Sequence, residues 1–110
     1  MEFFVGIPVN SVSGSLDWYK RLLGRDPDLI DGEHAAIWDL AEGRTLFIES
    51  KPGSIGHLLF TMYFDDLDTV VAGIAERGIE PTDRKDEKNL RVVQFQDPDG
   101  NEIDFGWYQH

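Results

Sequence analysis

One pattern occurs twice in this chain: an extended apolar segment, an amphipathic helix closed by glycine, and three further extended segments. In the first copy the spacing predicts a strand over residues 3–9 and a helix over 13–23, where Val12, Leu16, Tyr19 and Leu23 recur at helical spacing before Gly24. Extended segments follow near 29–30, 35–40 and 45–49, with a Glu42-Gly43 turn between the last two. The second copy predicts a strand over 58–64, a helix over 66–77 carrying Leu67, Val70, Val71, Ile74 and Ala75 on one stripe, and Gly78 as its left-handed cap. Extended segments are expected at 80–83, 90–96 and 102–107. Two tandem βαβββ units define an α+β fold, a mixed sheet curled around a concave cavity with helices outside. Residues 51–56 connect the halves 1–55 and 56–110 of one domain, since either half alone would bury too little surface to stand.

The composition narrows the function classes. A net charge of −11, with ten Lys and Arg against 21 Asp and Glu, argues against nucleic acid and favours neutral or cationic ligands. No apolar run approaches the about 18 residues of a membrane helix, and the start Met1-Glu2-Phe3 lacks a basic leader, so no membrane association and a cytoplasmic location are expected. Zero cysteines exclude disulfides, thiolate metal sites and cysteine nucleophiles. Ser11, Ser13 and Ser15 fall where a helix begins, and there is no Ser-His-Asp order and no glycine-rich phosphate loop.

The segment Gln96-Asp97-Pro98-Asp99-Gly100-Asn101-Glu102-Ile103-Asp104-Phe105 joins a turn to a strand. Pro98 presets a type I turn, Asp97 and Asp99 can accept backbone hydrogen bonds, and Gly100 or Asn101 can take positive φ. Beyond the turn, Glu102 and Asp104 share one face, with Ile103 and Phe105 on the other.

This turn, together with Ser15-Leu16-Asp17-Trp18-Tyr19-Lys20-Arg21-Leu22-Leu23-Gly24 and Tyr63-Phe64-Asp65-Asp66-Leu67-Asp68, resembles the vicinal oxygen chelate superfamily over essentially the whole chain. That superfamily includes glyoxalase I, extradiol dioxygenases, fosfomycin-modifying thiol transferases and bleomycin resistance proteins. The resemblance implies a metal held by a His on the first strand, a Glu on the fourth, a His on the fifth and a Glu on the last. Those positions fall here on Phe4, on Glu49 (or Phe47 if the register moves by one pleat), on Leu59 and on Asp104. Phe and Leu offer no lone pair, so a metal site of the superfamily type is not expected, and no cofactor is assigned. The one rescue is a divergent site of Glu49, His57 and Asp104, with His57 two residues before Leu59 on the same face. His34 and the terminal His110 are expected at the surface.

If Asp104 faces the concavity, alternation brings in Glu102, Phe4, Gly6, Phe47, Glu49, Leu59, Thr61 and Tyr63, with Val92, Gln94 and Gln96 from the seventh strand. Trp38 lines the concavity or packs under a helix, and it stands among the candidates. Residues 83–88 read as a solvated loop able to cover the pocket. Aromatic faces beside carboxylates suit a small aromatic or cationic organic ligand. The expected function is therefore metal-independent binding of such a ligand, akin to the antibiotic-sequestering members. A lyase, isomerase or dioxygenase with the divergent metal site, and an accessory module without a ligand, are the alternatives. The resemblance also implies a homodimer.

Overall fold

The first helix begins and ends on signals written in its own residues. In the computed structural model, which describes residues 1–109, β1 (Phe3–Val9) is followed by α1 (Val12–Leu23). The Ser11 hydroxyl accepts from the Gly14 amide at 3.0 Å to cap the start of α1, and Gly24, at φ 73°, ends it in the left-handed region. Lys20 and Arg21 lie in its last turn, where cations suit the helix dipole. Then come β2 (Leu29–Asp31), β3 (Ala35–Ala41), β4 (Arg44–Ser50), a 3-10 turn at Pro52–Ser54 and β5 (Leu59–Tyr63). The second half continues with α2 (Leu67–Glu76), β6 (Asp83–Asp86), β7 (Leu90–Gln96) and β8 (Glu102–Tyr108).

Each half builds its own four-stranded sheet, ordered β1-β4-β3-β2 and β5-β8-β7-β6, with the first pair parallel and the others antiparallel. The duplicated βαβββ pattern is thus present, its mixed sheet divided in two. Helix α1 packs on β3 and β4, α2 packs on β8, and the helices touch each other. One buried cluster runs beneath both, from Ile7, Trp38 and Ile48 with Tyr19 and Leu22 to Phe95, Ile103 and Phe105 with Leu67 and Ile74. The molecule measures 43 × 30 × 25 Å.

The turn at Asp97–Asn101 stitches the halves. Asp97 is 5% exposed, and its carboxylate accepts from the Tyr19 hydroxyl, the Asn101 side-chain amide and the backbone amides of Asp99 and Asn101, at 2.6 to 2.9 Å. Asn101, fully buried, donates to the Pro8 carbonyl at 2.8 Å and accepts from the Leu58 amide at 3.2 Å. Asp99 accepts from the Asn10 amide at 2.8 Å, and Gly100 takes the positive φ of 92°. On the helix side, the Arg77 guanidinium donates to the carbonyls of Arg21 and Leu22, bridging the second half to the last turn of α1.

One expected loop is a strand. Residues 83–86 form β6, an edge strand paired antiparallel with β7 from Asp83 opposite Gln94 to Asp86 opposite Arg91. Its Asp-Arg-Lys-Asp sequence shows no alternation because every side chain is exposed, and charge on an outer strand discourages pairing with another chain. Among the described residues, no helix is long and apolar enough to cross a membrane.

Candidate functional site

Alternation gives each sheet a covered face and an open one. On the first sheet, Val5, Ile7, Val9, Leu46, Ile48, Ala36 and Trp38 face the helices. The open face carries Phe4 and Gly6 on β1, Phe47 and Glu49 on β4, and Ala35 and Ile37 on β3. Register orders these into rows across the strands. Gly6, Phe47, Ile37 and Leu29 lie level, and Pro8, Glu49, Ala35 and Asp31 form the next row. The Phe47 ring lies across Gly6, where an added Cβ would meet it at 2.5 Å. A trough of about 520 Å³ is lined by Phe4, Leu29, Ile30, Ile37 and Phe47, with Asp31, His34 and Glu49 at its polar end.

The open face of the second sheet is more polar. Leu59, Glu102 and Gln96 form one row, Thr61, Asp104, Gln94 and Asp83 the next, and Tyr63, Gly106 and Val92 a third. Gly106 makes room for the Tyr63 ring, which meets Tyr108 edge-on at 4.8 Å between centroids. Asp104 Oδ1 is buried and has no hydrogen-bond partner. Burial, then hydrogen bonding and repulsion from Glu102 one pleat along the same face, pushes the Asp104 carboxyl up to about 6. The folded state therefore holds this proton more tightly than the unfolded chain, so stability falls as pH rises from about 4 through 6. Asp104→Asn, which cannot ionise, is expected to unfold at the same denaturant midpoint as the wild type at pH 4. At pH 7.5 it should be more stable by about 1 kcal/mol, solvent screening at this partly open site limiting the gain. A difference that does not change with pH would refute this account.

The candidates divide as follows. Phe4, Phe47 and Glu49 lie on the first open face, and Leu59, Thr61, Tyr63, Gln94, Glu102 and Asp104 on the second. Phe4, Leu59 and Tyr63 are 60%, 61% and 51% exposed. Trp38 is on neither open face. It is fully buried under α1, its indole N–H donating to the Arg25 carbonyl at 3.0 Å, because β3 turns its even-numbered residues inward. His34, expected only as a surface group, borders the first trough, its Nε2 3.8 Å from Glu49 Oε1. His34 is the turn residue just before β3, outside the pleat pattern that alternation reads, and so gave no signal of this. His110 lies outside the described residues.

The two halves pair in the same register around the positions where the resemblance implies metal ligands. Asp104 lies level with Thr61, one pleat beyond Leu59, and the same offset from Phe4 reaches Phe47, level with Gly6. Glu49 sits a further pleat away, level with Pro8. That register favours Phe47, the alternative to Glu49, as the fourth-strand counterpart of Asp104. The divergent set fails as well within one chain. His57 is exposed and precedes β5, Glu49 is beside His34 on one sheet, and Asp104 is beside Glu102 on the other. Among the described residues, no three His, Asp or Glu side chains converge to hold a metal ion. With Phe4 and Leu59 in place of the two imidazoles and Glu49 on the other sheet from Asp104, the residues present do not fit a catalytic divalent metal, which needs three or more protein donors.

Three solved structures place this geometry among known proteins. The chain is 39% identical to a glyoxalase / bleomycin resistance protein from Catenulispora acidiphila DSM 44928, with a TM-score of 0.94 over 99% of each chain. It is 25% identical to TnmS3, an antibiotic binding protein from Streptomyces sp. CB03234, with a TM-score of 0.77 over 99% of this chain and 96% of that one. A bleomycin-binding protein complexed with bleomycin shares the fold at 17% identity, TM-score 0.79, over 99% of each. The family model for the Glyoxalase/Bleomycin resistance protein/Dioxygenase superfamily matches residues 3–105, so the chain belongs to that superfamily.

Proposed function

We propose that this protein is a metal-independent binder of small aromatic or cationic organic compounds, working as a cytoplasmic homodimer of one 110-residue domain and sequestering an antibiotic-like ligand. One feature carries the reading: at the positions where the resemblance implies the two metal-binding imidazoles stand Phe4 and Leu59, which can donate nothing, and the strand register favours Phe47 over Glu49 as the partner of Asp104. Aromatic side chains beside carboxylates provide stacking, cation–π attraction and charge-assisted hydrogen bonds in place of metal coordination. Proteins whose names record bleomycin or antibiotic binding share this fold, which supports the ligand class. The absence of cysteine and the strong acidity suit a reducing compartment and capture of cations.

The homodimer rests on the open faces. Phe4, Leu29, Leu59 and Tyr63 stand exposed on the two sheets, and large apolar side chains exposed together mark a partner surface. A second copy would cover them and close the troughs into a cavity. Light scattering is expected to give twice the 12.5 kDa chain mass at micromolar concentration. The function itself is tested by thermal shift against a panel of aromatic, cationic and glycopeptide antibiotics, with and without chelator. Stabilisation of several degrees that chelator leaves unchanged is expected. A panel that shifts nothing would overturn the reading in favour of an accessory module, and stabilisation only with added metal would overturn the metal independence.

A further inference from the structure

The trough on the first sheet ends in a histidine–carboxylate pair that the ligand-binding reading above does not use. His34 is held by its backbone on two sides: its amide donates to the Asp31 carbonyl at 2.9 Å and its carbonyl accepts from the Ser50 amide at 3.1 Å. That places Nε2 3.8 Å from Glu49, whose side chain is 27% exposed while that of His34 is 69% exposed. Glu49 and Asp31 occupy one row, on either side of Ala35, and the apolar row of Phe47, Ile37 and Leu29 lies one pleat away. Two residues along a strand span about 6.6 Å.

We propose that this trough binds arylalkylammonium compounds, the ring over Phe47 and Ile37 and the ammonium on Glu49, and that His34 competes with the ligand for Glu49 when protonated. The proposal rests on the ligand-binding reading and gives it a substrate class. The row spacing selects a ring-to-nitrogen distance of about 6 to 7 Å. Charge selects a cation, because the groups around the imidazole are acidic: Asp31 on β2, Glu49 on β4, and Glu33 one residue back, whose carboxylate accepts from the Ser13 amide at 3.3 Å. Lys51, two residues past Glu49, is the cation nearest to that carboxylate along the chain. An imidazole gains its charge between neutral and mildly acid pH, whereas an alkylammonium keeps its own throughout that range. Protonated His34 pairs with Glu49 and opposes a second cation, so affinity rises with pH.

The test uses 3-phenylpropylammonium, with 3-phenylpropanol as the uncharged control, followed by chemical-shift titration of the full chain. The ammonium is expected to move the Ile37, Phe47 and Leu29 resonances, with Kd falling two- to fivefold between pH 5.5 and 8, the scale of an exposed ion pair. His34→Gln should bind as tightly at pH 5.5 as at pH 8, and Lys51→Ala should keep the wild-type slope. Glu49→Gln should lose the preference for the amine over the alcohol. Because the Asp104 carboxyl on the other sheet, pushed up to about 6, also changes charge between pH 5.5 and 8, it is the flat profile of His34→Gln that assigns the effect. A wild-type Kd independent of pH, a His34→Gln variant that keeps the slope, or equal binding of amine and alcohol would each overturn the proposal and leave the broader reading standing. A chain that binds neither this probe nor any compound of the antibiotic panel overturns both.

Discussion

Asp97→Ala is expected to cost about 3–5 kcal/mol of folding stability, the size of loss seen when one partner of a buried charged network is removed. The carboxylate is 5% exposed and accepts four hydrogen bonds from three residues. Its removal leaves the Tyr19 hydroxyl buried with no acceptor and strips two amides from the turn. Burial, the largest of the causes that raise the Tyr19 pKa, survives the substitution and keeps the phenol protonated, so its O–H remains a donor without an acceptor. Asn101 would keep its bonds to Pro8 and Leu58, which is why the loss is not larger. Two milder variants calibrate it: Tyr19→Phe removes one hydrogen bond and should cost about 1–2 kcal/mol. Asp99→Ala, losing a single bond to the Asn10 amide, should cost about 1 kcal/mol. Urea unfolding at pH 7 measures all three. If Asp97→Ala lost less than Tyr19→Phe, the carboxylate would not be the centre of the network.

The features legible in the sequence were those with short-range causes. A helix stripe, a glycine at positive φ and an Asp-Pro-Asp-Gly turn are fixed by residues a few positions apart, so α1, α2 and the Asp97–Asn101 turn lie where spacing places them. Alternation also assigned Thr61, Gln94 and Asp104 to one face, because β5, β7 and β8 keep strict pleat order. What stayed hidden depended on partners distant in sequence. The register of β1 on β4 decides whether Phe47 or Glu49 matches Asp104, and counting residues from a helix start cannot reveal it. The strand β6 hid in a charged run because an edge strand has no buried face to pattern. On β3, Ala35 and Ala36 are both buried and the register slips between Asp39 and Ala41, so alternation gave Trp38 no fixed side.

Trp38 therefore separates a fold role from a ligand role by experiment. Trp38→Ala should destabilise the chain by about 3–5 kcal/mol, the range for deleting a large buried aromatic, with the Arg25 carbonyl also losing its donor. Against a total stability of about 5–15 kcal/mol for such domains, that variant approaches unfolding, so Trp38→Phe is the working substitution. It keeps most of the volume, loses the indole hydrogen bond and should cost about 1–2 kcal/mol. Its affinity for any compound held on the open faces should equal that of the wild type, because the indole lies on the opposite side of β3. The indole also stands near Tyr19, 6.3 Å between ring centroids, and Tyr19 is bonded to Asp97. Combining Trp38→Phe with Tyr19→Phe should give non-additive losses, with a coupling of about 0.5 kcal/mol or more. Full additivity, or a tenfold loss of ligand affinity in a folded Trp38→Phe protein, would move Trp38 from the helix-side core into the binding surface.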